Sequence, residues 1–73
     1  MARLTGISGR QAVAAFRRAG YEVIRQRGSH VVLAREGSPN LVIPDHRAVA
    51  PFLLRAQMLR AGLTERQFRE LLR

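Results

Sequence analysis

Histidine is the side chain that most readily exchanges protons near neutral pH, and it can serve as general acid or general base. The sequence has two, His30 and His46, and no cysteine. Its carboxylates are Asp45 and Glu22, Glu36, Glu65 and Glu70. Two histidines and one aspartate across a turn do not make a metal-ligand spacing. No phosphate-loop glycine pattern is present, so neither a metal nor a cofactor is expected. The chemistry open to this set is the cleavage of RNA. That reaction needs a base for the 2′-hydroxyl, an acid for the leaving oxygen, and cations to hold the phosphate, a role that arginine fills.

The surroundings of His30 suit that chemistry. It directly follows Gly28-Ser29, a pair suited to a two-residue type II′ turn with glycine at the first central position. Such a turn places Arg27 opposite His30 on one sheet face, with Arg25 one step further along it. His46 is the possible second group. Pairing Glu36 with Leu41 across a loop at residues 37–40 carries His46 to within about one residue of the position facing His30. Neighbouring strands lie about 5 Å apart. A slip of one residue would turn His46 to the other face.

The elements that must position these residues follow from pattern. Ser8 and Gln11 form a capping box ahead of a helix over about residues 9–19. Ala12, Val13, Phe16 and Ala19 are its apolar stripe, Arg10, Arg17 and Arg18 lie off that stripe, and Gly20 ends the helix. Tyr21 to Gln26, Val31 to Arg35 and Leu41 to Ile43 read as three strands of an antiparallel meander. Pro44 ends the third. Pro51 opens a second helix with Leu54, Met58 and Ala61 inward, and Gly62 ends it. Thr64 and Gln67 form a second capping box, flanked by Leu63 and Phe68, for a short helix from about Glu65 to Leu72. Phe68, Leu71 and Leu72 face inward on it.

The expected fold is therefore α+β, in the order α-β-β-β-α-α. Residues 1–73 form one domain, with the helices together on one sheet face and the other face open. Two apolar sets compete for the buried face. One is Val23, Val32, Leu41 and Ile43; the other is Ile24, Val31, Leu33 and Val42. The choice decides whether His30 points outward.

Charge narrows the partner. The net charge is +8 from 13 basic and 5 acidic residues, and every basic residue is arginine. Such an excess favours nucleic acid, an anionic membrane or an acidic protein. Arginine adds bidentate phosphate contacts and stacking on bases. Arg10 and Arg17 on the first helix can track a nucleic-acid backbone. The opening Met1-Ala2-Arg3-Leu4-Thr5-Gly6 has no apolar run of a signal peptide, and no stretch is long enough to span a membrane. With no cysteine as well, a cytoplasmic protein without a membrane partner is expected.

Several blocks then resemble one family. They are Ile7-Ser8-Gly9-Arg10, Ala19-Gly20-Tyr21, Arg25-Gln26-Arg27-Gly28-Ser29-His30, Val42-Ile43-Pro44-Asp45-His46, and Ala61-Gly62-Leu63-Thr64 with Phe68 and Leu71-Leu72. Together they resemble the HicA (YcfA-like) toxins, from about Leu4 to Leu72, and the Arg-Gln-Arg-Gly-Ser-His stretch is the most specific part. The resemblance implies a fold similar to double-stranded RNA-binding domains. It implies an mRNA-cleaving endoribonuclease that stops translation, and a HicB-type antitoxin that blocks it. It places the catalytic histidine at His30. Arg25, Arg27 and Ser29, with Arg10 and Arg17, are then the candidate RNA- and phosphate-binding residues. The alternative is a non-catalytic RNA-binding module of the same fold. Two positions depart from the family pattern. Pro51-Phe52-Leu53 stands where Pro-Gly and a small or hydroxylated residue are common, and Gln57 stands where an apolar residue is usual.

Overall fold

The computed structural model describes residues 4–73; Met1 to Arg3, which open the segment expected to lack a signal peptide, lie outside them. The chain runs α1 (Gly9–Arg18), β1 (Glu22–Arg27), β2 (His30–Ala34), β3 (Leu41–Pro44), α2 (Pro51–Ala61) and α3 (Glu65–Leu71). The three strands form one antiparallel sheet in the order β1-β2-β3. The arrangement is the expected α+β fold of double-stranded-RNA-binding-domain type.

Local chemistry sets the helix ends as the sequence indicates. The Ser8 hydroxyl accepts from the Gln11 N–H at 3.0 Å, and the Gln11 side chain accepts from the Ser8 N–H at 2.8 Å. Thr64 and Gln67 repeat that box at α3. Each box satisfies backbone donors that the first helical turn leaves without partners. Gly62 closes α2 in the left-handed region, at φ 72°.

The core gathers Ala12, Ala15 and Phe16 of α1, Val31 and Leu33 of β2, Leu41 and Ile43 of β3, Leu54, Met58 and Ala61 of α2, and Phe68 of α3. Leu4, Ile7, Tyr21 and Val49 complete it from the connecting segments. Phe16 is at its centre, 5.0 Å from Phe68 and 6.1 Å from Tyr21 between ring centroids.

The buried sheet face is neither of the two expected sets. It takes Val31 and Leu33 from one and Leu41 and Ile43 from the other. The reason is register. Val31 pairs with Ile43 and Leu33 with Leu41, and residues directly opposite in an antiparallel pair share a face. The register also differs from the expected pairing of Glu36 with Leu41. The β2–β3 ladder begins at Leu33 and Leu41, and the connection is longer, because Arg35 leaves the ladder.

Arg35 is where the two larger helices are tied together. Its guanidinium donates to the carbonyls of Ala19 at 2.8 Å and Ala61 at 2.9 Å, and to the Ser38 hydroxyl at 2.9 Å. It also lies 4.3 Å over the Tyr21 ring. Ala19 caps α1 and Ala61 ends α2, so one cation satisfies carbonyls at two helix C-termini, where positive charge is favoured. Hydrogen bonds to charged groups each contribute about 1.5–3 kcal/mol. Arg35→Met, which keeps the stem and removes every donor, is expected to cost about 3 kcal/mol. In a domain of this size that lowers the melting temperature by roughly 10–20 °C, measured by circular dichroism. A shift under about 3 °C would show that water replaces these contacts without loss.

Candidate active site

His30 opens β2 directly after the hairpin turn. Arg27 pairs with His30 across the turn, and Arg25 pairs with Val32. The turn is thus two residues, Gly28 and Ser29. Gly28 has φ 55°, and no residue other than glycine has positive φ among the described residues. That is the type II′ signature. Gln26 braces it from the neighbouring position, its side-chain amide donating to the Gly28 carbonyl at 3.2 Å. A bulge at Ile24, between Val23 and Arg25, shifts the phase of β1. Without it, the pairing at the turn would run on so that Ile24 instead of Val23 faced Leu33.

The buried face belongs to Val31 and Leu33, so His30, Arg25 and Arg27 belong to the open face. All three are exposed. Neither Arg25 nor Arg27 is ion-paired among the described residues; the salt bridges there join Arg55 and Arg69 to Glu65. Two guanidinium groups with no carboxylate partner among the described residues thus share the open face with an exposed imidazole, a combination whose charge suits an anion. Val32 lies between β1 and β3 on the same face, opposite both Arg25 and the exposed Val42.

His46 is not opposite His30. That position is taken by Pro44, and β3 ends there. His46 lies two residues further on, exposed, in the segment before α2. Three backbone bonds fix that segment against two others, the hairpin turn and the stretch entering α1. The Asp45 N–H donates to the Ser29 carbonyl, the Gly9 N–H to the His46 carbonyl at 2.8 Å, and the Val49 N–H to the Ile7 carbonyl at 2.7 Å. The hairpin turn, the exit of β3 and the start of α1 therefore meet at one end of the molecule. Gly9 is what allows the approach. A Cβ built on it would lie 2.1 Å from the Pro44 carbonyl oxygen and 2.8 Å from Asp45 Cα.

The other candidate arginines are placed apart from this face. Arg10 lines a groove of about 210 Å³ on the helix side of the sheet, with Val13, Val23, Gln26, Val31 and Asp45. Arg17 is on a separate surface with Arg18, Tyr21 and Glu22. Arg18 donates to the Leu71 carbonyl at 2.6 Å and ties α1 to α3. Gly9 and Gln26, which no motif spacing marks as site residues, build this end of the molecule. Of these, only Gln26 left a local signal, as the uncharged residue between two arginines just before the turn.

Comparison with known families decides the lineage. The sequence model described as the HicA toxin of bacterial toxin–antitoxin systems matches residues 9–63. The chain belongs to the HicA toxin family. The match takes in α1, the whole sheet, α2 and the Gly-Ser-His turn. No curated protein and no solved structure matches the chain. Family membership makes the chain a toxin of a toxin–antitoxin pair. No helix of the described residues is long and apolar enough to cross a membrane.

Gln57 has a structural use here. Its side-chain oxygen accepts from the Val42 N–H at 3.2 Å, and Arg60 donates to the Asn40 carbonyl at 3.0 Å. Together they cover backbone groups on the outer edge of β3, which would otherwise invite pairing with another strand.

Proposed function

We propose that this HicA toxin is an endoribonuclease acting on mRNA in the cytoplasm, with His30 as its proton-transfer residue and a HicB-type antitoxin as its inhibitor. The observation that carries the reading is the open sheet face where His30 stands beside Arg25 and Arg27, neither of them ion-paired among the described residues. In the reaction, the 2′-hydroxyl gives its proton to a base and its oxygen bonds to the adjacent phosphorus. The bond from phosphorus to the 5′-oxygen then breaks, and that oxygen takes up a proton. His30 supplies one of these transfers, as base or as acid, and His46 is the candidate for the other. Arg25 and Arg27 hold the phosphate and offset the charge it gains in the transition state. Ser29, in the turn, adds a hydroxyl to the phosphate's surroundings. Arg10 and Arg17 contact RNA beyond the scissile position.

The test is incubation of the purified protein with a single-stranded mRNA transcript, with His30→Ala alongside. Cleavage by wild type alone supports the assignment. Salt-dependent binding without products from either protein would instead make this chain a binding module. The phosphate role of the arginines has its own readout. Each phosphate contact on single-stranded nucleic acid contributes about 0.7 to the slope of log affinity against log salt. Arg25→Gln with Arg27→Gln is expected to weaken RNA binding and flatten that slope by about 1.4, measured by fluorescence anisotropy from low to high salt. An unchanged slope would place the phosphates elsewhere.

A further inference from the structure

The outer side of α2 is not finished as a solvent surface. Phe52 is 74% exposed and Leu59 is 82% exposed, the two most exposed large apolar side chains among the described residues. They stand seven positions apart with the exposed Ala56 between them, and that i, i+4, i+7 spacing puts all three on one helix face. The opposite face of α2 is already used, with Leu54, Met58 and Ala61 in the core. A helix apolar on both sides is one that is covered on both sides. Within the described chain nothing covers the second.

Charge selects the occupant. A second copy of a chain carrying +8 would bring like charge against like. The α2 sequence holds Arg55 and Arg60 and no carboxylate; both are exposed, but Arg55 is paired with Glu65 of α3, so Arg60, which touches only the Asn40 carbonyl, is the cation without a carboxylate partner beside this face. Complementary charge at an interface favours the right partner and disfavours the wrong one. The surface therefore fits an acidic protein segment that presents apolar side chains at about the 10 Å separation of Phe52 and Leu59 along the helix.

We infer that the outer face of α2, anchored by Phe52 and Leu59, is a docking surface for an acidic, apolar-faced segment of the antitoxin, separate from the sheet face that carries His30. The inference rests on the proposed toxin–antitoxin pairing and adds a second contact to it. A partner held on α2 need not rely on the shallow sheet face for its affinity.

The experiment compares wild type, Phe52→Ser with Leu59→Ser, and Arg25→Gln with Arg27→Gln for binding to the HicB-type antitoxin by calorimetry. RNA cleavage and melting temperature are followed in parallel. Buried aromatic and aliphatic anchors at the centre of an interface account for most of its affinity. The α2 variant is expected to bind the antitoxin at least about 30-fold more weakly, equivalent to about 2 kcal/mol. Its cleavage and melting temperature should match wild type, because neither side chain is in the core or on the sheet face. Wild-type affinity in the α2 variant overturns the inference and leaves the pairing standing. Failure of wild type to bind the antitoxin overturns both. Concentration-dependent dimerisation of wild type by sedimentation, abolished in the α2 variant, would give the surface to a second copy and also overturn the inference.

Discussion

His30→Ala is expected to lower RNA cleavage by about 10²–10⁴-fold, the usual worth of one positioned acid or base, with the melting temperature unchanged. The stability half follows from position. His30 is exposed at the start of β2, outside the core, and surface substitutions without special contacts stay within about 0.5 kcal/mol. The activity half follows from the open face. His30 is the only histidine on the ladder, and Arg25 and Arg27 stand on the same side of the sheet. His46→Ala is the informative companion. Pro44 occupies the position opposite His30, so His46 must reach the phosphate from beyond the strand end, and a smaller loss is expected from it. Single-turnover cleavage of one transcript by the three proteins checks both. Equal activity in His30→Ala and wild type would remove His30 from the chemistry and leave the binding module as the reading.

Gly9→Ala is expected to destabilise the fold by about 3 kcal/mol, although helix propensity alone gives the opposite sign. Alanine is preferred to glycine by about 1 kcal/mol inside a helix. Gly9 is the first residue of α1, and its backbone lies against the chain leaving β3. A Cβ there would meet the Pro44 carbonyl oxygen at 2.1 Å and Asp45 Cα at 2.8 Å. Both are backbone atoms, so no side-chain rotation relieves the clash. Either α1 or the segment after β3 must move. The Gly9 to His46 hydrogen bond would then break, and the bond holding Asp45 to the hairpin turn would be strained. Overpacking of this kind costs about 1–3 kcal/mol and at times more, which outweighs the propensity gain. The expected fall in melting temperature is roughly 10–20 °C, measured by thermal circular dichroism. Because the displaced segment abuts the turn that carries His30, cleavage at a temperature where the variant remains folded should fall as well. A melting temperature at or above that of wild type would show that α1 can back away freely and that the close approach is incidental.

The two variants separate chemistry from scaffolding. One removes a side chain that nothing in the fold depends on; the other adds a single carbon where the fold has no room. Arg35 belongs with Gly9. In a chain whose basic residues are all arginine, composition assigns each of them to a polyanion. Arg35 instead spends its guanidinium on the carbonyls of Ala19 and Ala61, and Arg18 is engaged with Leu71. The cations free to meet RNA are fewer than the charge count indicates, and they include those of the hairpin face.

What the sequence determined by itself is everything that rests on neighbours along the chain. Both capping boxes, the glycine after α2, the order of elements and the two-residue turn at Gly28-Ser29 follow from contacts within a few residues. The placement of Arg27 and Arg25 beside His30 follows from that turn, since a hairpin loop sets the register next to it. The Gly-Ser-His stretch also carried the family resemblance that the match to residues 9–63 bears out. Only the tertiary structure decided what depends on distant pairing. The β2–β3 register was open because its loop is long and irregular, and it was settled when Arg35 turned away to the helix ends. That register chose the buried face, placed Pro44 instead of His46 opposite His30, and left His30 outward. The contact at Gly9 and the unpartnered side of α2 were likewise hidden. A glycine's need for space and a helix's lack of a cover are properties of what lies across from them, and the local sequence does not record it.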